Sequence, residues 1–113
     1  MSANSNLDSN ERDEPYAEGT ALTKLLGDGP KVKILSAFLA DPEWDHNVTE
    51  IAEMAGVSRN TVYRHIDDLT SLGVVKKTRQ RGGSTQYQIN KDNAAAKKLA
   101  ELEWELVDAA FGE

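Results

Sequence analysis

The run from Val48 to Ile66, V-T-E-I-A-E-M-A-G-V-S-R-N-T-V-Y-R-H-I, constrains the fold more than any other part of the chain. Ile51, Ala52 and Ala55 recur at helical spacing and give a short helix one apolar stripe. Gly56 supplies the left-handed backbone that ends this helix at once. Thr49 is expected to cap the first helix and Ser58 a second. Small Ala52 permits a close, steep crossing of the two. Val62, Ile66 and Leu69 continue the buried stripe, leaving Arg59, Asn60, Tyr63, Arg64 and Asp67 outward. Two helices so joined are a helix-turn-helix, and its outward residue types are those that contact base edges and phosphates.

Paired short helices also pack cores in proteins that never touch nucleic acid, so the following segment matters. Leu72-Gly73 closes the second helix, and a β-rich run begins at Val74. Gln80-Arg81-Gly82-Gly83-Ser84 is a flexible turn, and Thr85 to Ile89 forms a returning strand. Thr85, Tyr87 and Ile89 are expected on its buried face, Gln86 and Gln88 on the other. The two strands predict a hairpin, placed as a wing directly after the outward-reading helix. The fold class is then mainly α with a small β-hairpin, a tri-helical core plus wing. Helix 58–72 would enter the major groove and wing 74–90 would lie on flanking DNA. Candidate DNA contacts are Thr49, Ser58, Arg59, Asn60, Thr61, Tyr63 and Arg64 from the helices and Lys76, Lys77, Arg79 and Arg81 from the wing.

From about Leu22 to Ala110 the sequence resembles archaeal winged helix-turn-helix regulators related to the ArsR and MarR groups. The resemblance is carried by "TEIAEMAGVSRNTVYRHIDDLTSLGVVKKTR" and by "QYQIN" leading into a final helix. It implies a homodimer on operator DNA, with one helix in the major groove and the wing on flanking backbone or minor groove. Metal-sensing ArsR relatives use cysteine thiolates; this chain has no cysteine, and His46 and His65 are too few for a metal site. The resemblance therefore implies fold and DNA binding, with no cofactor, no metal and no identified effector.

Charge sorts by segment. The chain carries thirteen Lys plus Arg against nineteen Asp plus Glu, a net −6. Residues 58–90 hold six basic side chains against two acidic ones, a net +4. Residues 1–57 hold four against eleven, a net −7, and residues 91–113 three against six, a net −3. Positive charge thus gathers where a winged helix meets phosphates. The acidic remainder, together with the archaeal resemblance, suggests a haloarchaeal source. At ~1 M salt the Debye length is about 3 Å, so binding there rests on close contact and groove fit.

Residues 1–19 are rich in Ser, Asn, Asp and Glu and are expected to be a disordered acidic tail. Residues 20–90 form the winged-helix domain, and 91–113 a C-terminal helix. No apolar run approaches a membrane span, and no signal peptide is visible, so a cytoplasmic location is expected. Thr20 to Leu26 reads as a short helix closed by Gly27, and Pro30 opens another that runs to Asp41-Pro42. Trp44 is expected to cover the core, with a short strand at Asn47-Val48 beside the hairpin.

In the final helix, capped by Asp92 or Asn93, Ala95, Leu99, Leu102, Leu106 and Ala109 repeat like a short coiled-coil seam. Leu22, Leu25, Leu26, Leu99, Leu102 and Leu106 are therefore the expected homodimer interface. Two reading helices imply a near-palindromic operator. A winged-helix module for protein–protein contact is the alternative, disfavoured by an outward face of Arg, Asn, Tyr and Arg. Enzymatic chemistry finds no nucleophile–base pairing, no phosphate-cradling loop and no metal constellation; no catalytic residue is assigned.

Overall fold

The computed structural model describes residues 20–111, with side chains through residue 109. The expected N-terminal tail lies outside the described residues. Among the described residues, five helices and one hairpin follow in order: α1 (Ala21–Leu26), α2 (Pro30–Ala40), α3 (Val48–Ala55), α4 (Arg59–Ser71), β1 (Val75–Arg81), β2 (Ser84–Ile89) and α5 (Ala94–Phe111).

Local chemistry sets the ends. Thr20 Oγ1 accepts from the Thr23 amide and caps α1. Pro30 occupies the first turn of α2, where its missing N–H is harmless. Ser58 Oγ accepts from the Thr61 amide at 3.1 Å and opens α4. Gly56 closes α3 at φ 75°, a left-handed conformation a side chain would resist. Asn93 Oδ1 accepts from the Ala96 amide at 2.9 Å, so the α5 cap is Asn93. At α3 the expected cap is displaced. Asn47, not Thr49, does the work: its Oδ1 accepts from the Glu50 amide at 2.8 Å, and Glu50 Oε1 accepts from the Asn47 amide at 3.0 Å. This reciprocal capping box satisfies two otherwise unpaired donors, which a lone Thr49 hydroxyl cannot. Val48 is consequently helical, and the expected strand shrinks to a single antiparallel bridge one residue earlier. There His46 and Tyr87 exchange two backbone bonds of 2.8 Å.

The core lies where α2, α3 and α4 meet under the hairpin. Phe38, Ile34, Ile51, Val62 and Val75 are fully buried there, with Leu22 of α1. α4 contributes Val62, Ile66 and Leu69, the stripe its spacing predicts. α1 packs on both α2 and α5, and β2 rests on α2 and α3.

β1 and β2 pair antiparallel across a two-residue turn, Gly82-Gly83. Both glycines have positive φ, 57° and 82°, as the tightest hairpin turns demand. The register shifts between Lys77 and Arg79, leaving Thr78 as a bulge. The expected alternation on β2 fails close to this bulge: Gln86 is 2% exposed and buried beside Tyr87. Trp44 also departs from expectation. It is 66% exposed and covers nothing in the core.

Candidate nucleic-acid interface

The turn after α3 presents α4 with its apolar stripe inward and its polar side chains out. Arg59, Asn60, Tyr63, Arg64 and Asp67 are all exposed, Tyr63 to 58%. Ser58 and Thr61 are committed to each other, their hydroxyls 2.9 Å apart, so they fix the start of α4. Thr49 is exposed in the first turn of α3.

The hairpin bends toward these helix starts and closes a polar groove of about 250 Å³. Asn47, Val48 and Thr49 form one wall, Arg59 and Tyr63 a second, and Gly83, Ser84 and Thr85 the third. Two helix N-termini border it, carrying amides that have no partner within their helices and the positive ends of the helix dipoles. Tyr87 forms its floor. Burial first, then the Asp67 carboxylate and Tyr63, push its phenol up from the ordinary value.

Charge around the groove divides into tied and free cations. Arg79 Nε and Nη2 donate to the Asp45 carboxylate at 3.0 and 3.3 Å, and the Thr78 hydroxyl donates to the same group. The Arg79 hydrogen bond, then that of Thr78, hold the Asp45 carboxyl below its ordinary value. Asp45 thus clips the bulge of β1 to the loop before α3. Lys31 pairs with Asp68 at 2.9 Å, and its hydrogen bond and charge lower that carboxyl too. Arg59, Arg64, Lys76, Lys77 and Arg81 are exposed and, among the described residues, form no ion pair.

Thr49, Arg59 and Tyr63 of the expected contacts therefore line one groove. Asn60 and Arg64 extend the same helix surface, and Lys76, Lys77 and Arg81 lie along β1. Arg79 belongs to the wing but is neutralised within the chain. Asn47, Ser84 and Thr85 were not expected. The Asn47-x-x-Glu50 spacing signals the first, and the Gly82-Gly83 turn places the others near the tip.

The expected dimer residues separate. Leu22 is 0% exposed inside its own core and has no surface to offer a second copy; its place in the interface is withdrawn. Leu25 and Leu26 are exposed on α1. Leu99, Leu102 and Leu106 are half-buried against the chain's own core, so this stripe of α5 is already covered in large part.

Among the described residues no cluster of three His, Cys, Asp or Glu is placed to hold a metal, and no helix is long and apolar enough to cross a membrane.

A family model described as a family of unknown function (DUF7342) matches residues 31–109. The chain belongs to the DUF7342 family. The matched segment runs from the start of α2 nearly to the end of α5, so the groove described above falls inside it. No curated protein matches the sequence. Among solved structures, this DUF7342 chain is similar to a possible transcriptional regulator from Methanosarcina mazei Go1. That match has a TM-score of 0.50 and 15% identity over 71% of this chain and 67% of the other. At that identity the likeness is one of fold. The described residues are mostly helical with a two-stranded antiparallel hairpin, consistent with a winged helix.

Proposed function

We propose that this chain is a sequence-specific, double-stranded DNA-binding transcriptional regulator that acts as a homodimer. The observation that carries it is the set of free cations. Arg59 and Arg64 on α4 and Lys76, Lys77 and Arg81 on β1 have no acidic partner among the described residues, and Arg59 lines the polar groove between helix starts and wing. Unpaired arginines on an exposed helix suit guanine edges in a major groove. Lysines and an arginine on a hairpin suit phosphates or a narrow minor groove. The fold likeness to a possible transcriptional regulator supports the same function.

α4 with its cap Ser58 then reads the major groove. Asn60, Tyr63, Arg64 and Arg59 face the bases; Thr49, Ser58 and Thr61 hold the helix starts against the backbone. Arg79 enters only when Asp45 releases it. Two copies present two reading helices, which favours a near-palindromic operator with half-sites about one helical turn, roughly 10–10.5 base pairs, apart. Kinship with the ArsR and MarR groups and a haloarchaeal, cytoplasmic setting fit the motif and the acidic composition, and no enzymatic chemistry is assigned. The test is selection of bound fragments from genomic DNA, followed by fluorescence anisotropy on the selected duplex. Arg59→Ala with Arg64→Ala should lower affinity for that duplex while the melting curve is unchanged. Equal affinity of the double variant for selected and scrambled duplexes, at wild-type strength, would sink the proposal.

A further inference from the structure

A second groove, of about 650 Å³, opens at the base of the hairpin between the end of α2, Ile89 and α5. Leu39, Ala40 and Pro42 form one side, and Ala96, Ala100, Trp104 and Val107 the other. These four α5 residues share a helix face distinct from the Leu99, Leu102 and Leu106 stripe that packs inward. Trp104 is 71% exposed, the largest apolar side chain on a mainly apolar surface. Lys97 stands beside the groove and Asp108 is exposed near its far end, and neither has a partner among the described residues.

We propose that the occupant of this groove is a second copy of the chain, its α5 lying antiparallel to the first about a two-fold axis between Leu102 and Glu103. The inference rests on the dimeric-regulator proposal and moves its interface from the leucine stripe to the Trp104 face. Three observations favour this occupant. A protruding Trp104 and a hollow floored by Ala96 and Ala100 lie on one surface, and a two-fold contact needs knob and hole on the same patch. Charge is split along α5: Lys97 and Lys98 precede Glu101, Glu103, Glu105 and Asp108. Antiparallel pairing sets the basic end of each helix against the acidic end of the other, whereas parallel pairing sets like on like. Finally, one axis serves both contacts: levelling Lys97 with Asp108 of the second copy also brings Trp104 within one residue of its Ala100. The result is an aromatic anchor in a pocket of small residues, rimmed by ion pairs.

Light scattering on the full chain across a concentration series tests this. Wild type should be dimeric. Trp104→Ala should raise the dimer dissociation constant at least about tenfold, while its helical circular dichroism holds, because the ring is exposed. Lys97→Glu and Asp108→Lys should each dissociate alone, and an equimolar mixture of the two should recover dimers. Only contact between chains gives that recovery. A monomeric wild type, a dimeric Trp104→Ala, or a mixture without recovery overturns the proposal. Should Trp104→Ala stay dimeric while Leu25→Asp with Leu26→Asp dissociates, the dimeric regulator stands and this interface falls. DNA binding is judged separately by the Arg59 and Arg64 variants.

Discussion

The two grooves lie toward opposite ends of one hairpin, and they are chemically inverse. Near the tip, Asn47, Thr49, Ser84 and Thr85 line a polar cleft with Arg59 in its wall and Arg81 at the same end of the hairpin, neither in an ion pair among the described residues. At the base, Leu39, Ala100, Val107 and Trp104 line an apolar one. Tyr87 floors the first and Ile89 walls the second, two residues apart on β2. A single strand thus anchors both. Each groove is marked by what the described residues leave unanswered: positive charge without an acid at the tip, apolar surface without cover at the base. The first calls for a polyanion and the second for protein, and unanswered charge says little about an apolar partner or the reverse.

Both grooves hang on the same core, so the largest effect should erase the contrast. Phe38 is 1% exposed at the centre of that core. Phe38→Ala leaves a cavity worth about 3–5 kcal/mol of stability. Urea denaturation should show this loss, and DNA binding and dimerisation should fail together. Survival of one without the other would mean that the two ends fold independently.

Arg59→Ala with Arg64→Ala should separate the ends. Each arginine that pairs with a guanine contributes about 1–3 kcal/mol of discrimination, so the double variant should lose at least about tenfold in specific affinity. Its dimer should be intact. Trp104→Ala should do the opposite, binding a half-site duplex as wild type does while failing to bridge two half-sites.

A smaller effect distinguishes two arginines within the wing. Arg81 has no ion pair among the described residues, and Arg79 is held by Asp45. Arg81→Ala should lower the slope of log affinity against log salt by about 1 per chain, the loss of one phosphate contact. Arg79→Ala should leave the slope nearly unchanged, and Asp45→Ala should steepen it by releasing Arg79. Equal slopes for the Arg79 and Arg81 variants would show that DNA displaces Asp45.

What the sequence made legible was local. Gly56, Ser58 and the Val62, Ile66, Leu69 stripe act over one or two helical turns, and each takes its expected place. So do Pro30, Asn93 and the Gly82-Gly83 turn. The misplacements are tertiary. Gln86 is buried near the Thr78 bulge, and no alternation of residue types announces a bulge. Leu22 is buried because α1 folds onto α2 and α5. A helical repeat shows that leucines share a face without saying which neighbour covers it. Asp45 and Arg79 lie far apart in sequence, so their pairing was invisible, and Arg79 read as a free cation.

The smallest expected effect concerns acid, where the two ends should differ in sign. Asp45, beside the wing, has its carboxyl lowered by Arg79 and Thr78. Its contribution to stability is present above the ordinary aspartate value and is lost as pH falls through the lowered one. Glu103, on the groove at the base, is half-buried with no partner among the described residues, and burial raises its carboxyl. The fold therefore favours its protonated form. That stability is present below the ordinary glutamate value, about 4.3, and is lost as pH rises through the raised one. Asp45→Asn should lower the melting temperature at neutral pH, with the gap closing in strong acid. Glu103→Gln should raise it slightly at neutral pH, because solvent still screens the group, with the gap closing near pH 4. Thermal melts of dilute protein from pH 7 to 3 check both. A Glu103→Gln variant less stable than wild type at neutral pH would show that the carboxylate has a cation beside it, and that the groove at the base is not the unanswered apolar surface that sets it apart from the tip.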